Sequence, residues 1–282
     1  KRLMPENTDL EQKEKNENAN LLMEKSKTTS EIERINENNK QLEEENAITT
    51  SSHVGEDRHT KIVLSILNKA GLNENYLKCM THEPLGSHNN RRQINNNCSG
   101  KHALMLAVSK QQGWDLENYL DFSHPLQKKI LEKQSELCEI KKEDLIPSLD
   151  GCNAPVYAMP FKNIAKGFCN LFVNKEYNYL KNAFINHPVL IGGEKRTDTK
   201  IMLEGNKNLI AKVGAGGFLG IYNIQKEEFL LIKMTQNNNE AREILAQKLL
   251  LKLGWIDNTL ACETITSSNG TEVAKWELAF KF

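Results

Sequence analysis

Residues Asn97-Cys98-Ser99-Gly100-Lys101-His102 set a thiol, a hydroxyl, an amine and an imidazole side by side. Far downstream, Asp150-Gly151-Cys152 adds a second thiol and a carboxylate. Groups of this kind are costly to bury unpaired, so these two segments are where chemistry is expected. Cys98 and Lys101 are three apart at a turn and can reach one point. Two thiolates and a nitrogen would leave a tetrahedral zinc ion one open position. Lysine is an uncommon ligand because its amine must first lose a proton, and buried free cysteines are common. The residues alone leave a zinc site and inert thiols both open.

A nucleophile is offered by Ser51-Ser52-His53-Val54-Gly55-Glu56. A serine attacks a carbonyl only with a base at hand, and a lysine can be that base when burial or a neighbouring cation lowers its pKa. The candidate lysines are Lys101 and Lys212, the latter opening Lys212-Val213-Gly214-Ala215-Gly216-Gly217. The same Ser-Ser-His run would equally serve as a helix cap or loop, and the Lys212 turn as a hairpin with a solvated lysine. His187 to Thr199 carries two glycines and a charged cluster and reads as a tight functional loop. A phosphate cradle would need a Lys-Ser/Thr pair there, which is absent.

These side chains need elements to hold them. Ala103, Leu104, Leu106, Ala107 and Val108 follow the Ser99-Gly100 turn directly. That places Cys98 at a helix N-terminus, where outward N–H groups stabilise thiolates. Ile62, Val63, Ile66 and Leu67 have helical spacing, with Gly71 as the stop. Residues 126–137 read as an amphipathic helix, and 164–172 as a buried segment. Residues 209–214 and 218–222 read as strands around a glycine-rich turn, and 229–234 as a third. Residues 241–253 form a helix closed by Gly254. Helices in the middle and strands near the end predict an α+β, mixed α/β fold rather than a βαβ repeat.

The chain has 282 residues, with 37 Lys+Arg against 37 Asp+Glu. Zero net charge argues against a nucleic-acid or anionic-membrane surface. No run of about 18 apolar residues suggests a membrane span, and the start at Lys1 is not a secretory signal. Six dispersed cysteines fit a reducing, cytoplasmic setting. Residues 1–48 stand apart as a polar arm, helical or disordered, without aromatic residues or glycine, and residues 49–282 as the catalytic domain. Leu21, Thr28, Ile35 and Leu42 recur every seven positions, but Asn18, Lys25 and Asn39 interrupt the seam, so a coiled coil is only weakly supported. The mean hydropathy of −0.57 fits an arm that stays out of the core.

Taken in order, the motifs resemble one family, the L-asparaginases of the Rhizobium etli inducible type. They are Ser51 to Glu56 with His59; Asn96 to Ala103; Tyr119-Leu120-Asp121 with His124-Pro125 and Gln127; and Asp150 to Pro155. His187-Pro188, Ile191-Gly192-Gly193, Arg196 to Thr199 and Ala211 to Ala215 complete the set, over roughly residues 45–255. The resemblance implies a serine-β-lactamase-like fold, an antiparallel sheet flanked by helices. It implies hydrolysis of L-asparagine to L-aspartate and ammonia through a Ser–Lys mechanism beside a zinc site. By position, Ser52 and Lys212 match one catalytic pair. Cys98, Lys101 and Cys152 match the zinc ligands, and Asp150 and His102 match residues lining the substrate pocket. A homodimer is the expected assembly.

The sequence also departs from the pattern. The family carries a second pair as a Ser-x-x-Lys helix, and no serine in these 282 residues has a lysine three positions later. The polar arm stands where the opening strands would be, and Gly216 stands where the family usually has glutamate. An alternative follows: a catalytically degenerate member, acting as a zinc-stabilised scaffold or amino-acid-binding protein.

Overall fold

The computed structural model describes residues 6–83, 91–236, 238–261, 263–277 and 279, with side chains from residue 22 onward. It divides into two units, residues 1–42 and 43–282. The first is helical: α1 runs Glu6–Thr49, and its last two turns, from Glu43, belong to the second unit. Within the arm, Ile32, Ile35 and Leu42 lie exposed among charged residues. No helix of the described residues is long and apolar enough to cross a membrane.

The second unit follows in order as α2 (Asp57–Lys69), α3 (Ser99–Gln111), α4 (Pro125–Leu137), β1 (Ile146–Leu149) and β2 (Pro155–Ala158). Next come α5 (Phe161–Val173), α6 (Asn178–Asn186), α7 (Pro188–Gly192) and α8 (Thr197–Glu204). The chain then forms β3 (Leu209–Gly214), β4 (Phe218–Asn223), β5 (Glu228–Lys233), α9 (Asn239–Leu253), β6 (Thr264–Thr266) and β7 (Glu272–Lys275). Strands β3, β4 and β5 form one antiparallel sheet, while β1–β2 and β6–β7 are separate hairpins. This is a mixed helix and strand architecture with small antiparallel sheets, consistent with the α+β expectation.

Two apolar cores carry the unit. One packs Ala211, Leu219 and Ile221 of the sheet against Phe172, Phe184, Ile201 and Leu250 of the flanking helices. The other packs Val63 and Leu67 of α2 against Ala103 and Leu106 of α3, with Tyr119, Cys152 and Ala154. The last turn of α1 serves both, Ala47 entering the first core and Ile48 the second. Glu45 pins that turn by accepting from Lys69 at 2.7 Å and from Ser65 at 2.7 Å.

The expected helices and strands around the site stand within a few residues of the sequence boundaries. Gly71 and Gly254 end α2 and α9 in the left-handed conformation that glycine tolerates (φ +69° and +64°). The 187–199 segment departs from the expected loop. Pro188 starts a short helix and Thr197 another, with the turn confined to Gly193 to Arg196, where Gly193 has φ +100°. A five-residue helix is too short to show periodicity, which is why the segment reads as a loop.

Candidate functional site

Ser52 follows α1 by three residues and is fixed from both sides. Its N–H donates to the Ile191 carbonyl at 2.9 Å. Next to it, His53 is buried and locked: Gly55 N–H donates to Nδ1 at 3.0 Å, so Nε2–H donates to Ser99 Oγ at 3.0 Å. The Ser99 hydroxyl in turn donates to the Ile94 carbonyl at 2.8 Å. Burial first, then the neighbouring His59 and His82, hold the His53 pKa down at about 3, so the ring stays neutral. His53 therefore ties the serine segment to the start of α3 and is no proton carrier. Gly100 sets the same distance. A Cβ there would lie 2.1 Å from the Ile48 carbonyl oxygen, so only glycine lets α3 begin against the end of α1.

Lys212 projects from β3, whose register pairs it with Gly220 of β4. Its Nζ lies 2.5 Å from Ser52 Oγ and 2.8 Å from the Val213 carbonyl. Burial lowers its pKa to about 8; Asp198 opposes that shift and Arg196 adds to it. The Asp198 carboxylate is itself occupied, accepting from Val213 N–H at 3.0 Å and Thr199 N–H at 3.2 Å. A lysine near neutrality that touches a serine hydroxyl can exchange a proton with it.

Ser52 opens on a cavity of about 380 Å³, which Asn97, Arg196, Thr197, Ala215 and Arg242 also line. A larger cleft of about 850 Å³, between α2 and the His187 to Leu190 segment, contains no serine or cysteine, so the chemistry points to the smaller one.

The second cluster forms where the α3 N-terminus meets the β1–β2 hairpin. Cys98 caps α3, with its N–H bonded to Asn96 Oδ1 at 2.9 Å. The hairpin turn brings Asp150 and Cys152 opposite, closed by Asp150 N–H to the Ala154 carbonyl at 2.9 Å. Cys98, Asp150 and Cys152 offer ligand atoms within 4.8 Å of one another and could hold a metal ion. Lys101 Nζ lies 3.4 Å from Asp150 Oδ2. The contact between the two thiols, with burial, raises the Cys98 pKa and, against burial, lowers that of Cys152, whose Sγ also lies 3.6 Å from Asp150 Oδ2. Burial works against the Lys101 charge, but the two thiols and Asp150 outweigh it, and its pKa rises.

His102 is fully buried behind this cluster. Lys78 N–H donates to the Tyr119 hydroxyl at 2.9 Å, and that hydroxyl is hydrogen-bonded to His102 Nδ1 at 2.8 Å. His102 Nε2 is buried without a hydrogen-bond partner, and the ring lies close enough to Cys152 to lower that thiol's pKa. The seven expected site residues thus fall into two neighbouring groups, Ser52 with Lys212, and Cys98, Lys101, His102, Asp150 and Cys152. Neither Asp150 nor His102 lines the Ser52 cavity.

Sequence reading missed Arg242, which lines the cavity from α9. A signal was there: Arg242 lies four residues before Ala246 and eight before Leu250, on the buried stripe of that helix, where a guanidinium has no packing reason to be.

A small polar cavity with a lysine-contacted serine in its wall, beside a cluster able to hold a metal ion, suits a hydrolytic enzyme. Residues 31–278 match the family model for L-asparaginase II. The chain belongs to that family, which sets its chemistry, at family level, as asparaginase-type amide hydrolysis on an amino-acid substrate. No curated protein matches the chain.

Proposed function

We propose that this chain is an L-asparaginase of the Rhizobium etli inducible type, hydrolysing L-asparagine to L-aspartate and ammonia with Ser52 as nucleophile and Lys212 as base. The observation that carries this reading is the 2.5 Å contact between Lys212 Nζ and Ser52 Oγ on the wall of the cavity. The neutral lysine takes the Ser52 proton as the oxygen bonds to the side-chain amide carbon. The C–N bond then breaks, and the nitrogen leaves as ammonia with the proton from Lys212. Water, deprotonated by the same lysine, attacks the ester, and the Ser52 oxygen regains its proton as L-aspartate departs.

Zinc is the proposed metal. The donor set fits it: two thiols and a carboxylate converge, with a lysine amine beside them, and Cys152 already favours its thiolate. Cys98, Lys101 and Cys152 are the proposed ligands, Asp150 orients Lys101, and His102 orients Cys152. A zinc ion held there supplies Lewis-acid polarisation next to the cavity. The proposed fold is serine-β-lactamase-like, with residues 1–48 as an arm, residues 49–282 as the catalytic domain, and a cytoplasmic homodimer as the working form.

The degenerate alternative rests on the missing Ser-x-x-Lys pair. Ammonia release from L-asparagine by purified protein separates the two. Turnover that vanishes in Ser52→Ala supports the enzyme; a wild-type rate no higher than that control leaves the scaffold.

A further inference from the structure

The Ser52 cavity carries an uncompensated positive charge. Three cationic side chains line it, Lys195, Arg196 and Arg242, against one carboxylate, Glu243. That carboxylate is already engaged, by Lys200 and by the Thr197 hydroxyl at 3.0 Å. Arg196 has a loose pairing with Asp198 at 3.7 Å. Arg242 is only 4% exposed, its Nε has no hydrogen-bond partner, and no carboxylate among the described residues lies within ion-pair distance of it. A buried lysine in such a place could shed its proton, but a guanidinium cannot. A buried, unpartnered arginine is costly, and an anionic ligand would remove that cost. The cavity, about 380 Å³, lies at the small end of ligand sites.

Resting on the asparaginase reading, we infer that Arg242, with Arg196 beside it, forms the subsite that binds the α-carboxylate of the amino-acid substrate. An amino-acid amide seated there by its carboxylate directs its side chain along the cavity towards Ser52. The forked guanidinium donors suit a planar carboxylate, and their place in the same cavity as the nucleophile selects a free amino acid over an amide buried within a peptide chain.

The test is calorimetric binding to Ser52→Ala protein, which removes turnover. The ligands are L-asparagine, L-asparaginamide, which replaces the carboxylate by an amide, and malonate. L-Asparagine is expected to bind more tightly than L-asparaginamide by about tenfold to a hundredfold. Arg242→Gln should abolish that preference while changing L-asparaginamide less than about twofold, and Arg242→Lys should restore part of it. Thermal melting checks that the variants fold. Arg196→Gln, at a partly exposed position, gives a second and smaller loss if Arg242→Gln does not fold. A preference that survives both glutamine variants, or equal losses for both asparagine ligands, overturns the subsite. Malonate bound in an Arg242-dependent manner without any L-asparagine binding keeps the subsite and removes the asparaginase reading. Failure of all three ligands to bind removes the subsite.

Discussion

Replacing Lys212 by methionine removes the amine in contact with Ser52 while keeping the volume of the side chain. With a pKa of about 8, roughly one Lys212 in eleven is neutral at pH 7. The rate should therefore climb as pH rises, by about tenfold from pH 7 to pH 9, and level off once the lysine is mostly neutral. The sign follows from the base: its reactive form is the deprotonated one, and the depressed pKa moves that form towards neutrality. Lys212→Met should lower the rate by about 10²–10⁴-fold, the usual worth of a positioned base, and flatten the rising limb. Lys212→Arg should behave like the methionine variant, because a guanidinium keeps its proton. Initial rates of ammonia release between pH 6 and pH 10 measure all three. A wild-type profile flat through pH 8, or an arginine variant with near-native rate, would refute the role of Lys212 as base.

Three further expectations concern the frame around that pair. Gly100→Ala forces a methyl to within 2.1 Å of the Ile48 carbonyl oxygen, and urea unfolding should show a loss of at least about 2 kcal/mol; a midpoint unchanged from wild type would mean that the α1–α3 approach is soft. Tyr119→Phe strips partners from both the Lys78 N–H and His102 Nδ1, for a loss of about 1–3 kcal/mol by the same measurement, whereas a neutral result would dismiss the buried relay. Cys152→Ser should cut zinc content, read by atomic emission on chelator-free protein, from about one ion per chain to less than half; equal content in both proteins would place the metal elsewhere.

Much of the frame is legible in the sequence because its signals are local. Gly254 marks the end of α9, and the Gly214 to Gly217 turn marks the β3–β4 hairpin, with Gly216 and Gly217 both at positive φ. Cys98 stands at the N-terminus of α3, where the Ser99-Gly100 turn implies. What stays hidden depends on distant partners. Nothing near Gly100 announces that Ile48 will rest against it, and nothing near Arg242 shows that Glu243 is taken up by Lys200 and Thr197. The β1–β2 hairpin is equally quiet. Its four-residue strands, Ile146–Leu149 and Pro155–Ala158, are too short to alternate visibly, and the first is exposed throughout. The Ser52–Lys212 pair is legible only as a resemblance, since its members meet across 160 positions of sequence.

The division of Ala47 and Ile48 between two cores also bears on the order in which the chain is expected to fold. Lys101 and Asp150 are 49 positions apart, against 160 for Ser52 and Lys212, and the thiol cluster sits with the core that Ile48 joins, so it is expected to assemble once that half has condensed. Ser52 and Lys212 meet across 160 positions, where the sheet packs on the other side of the same two residues, a closure of longer range that is expected to be slower. Protection of the thiols is therefore expected to precede any ammonia release as the chain refolds, and thiol alkylation and activity that recover together would refute that order.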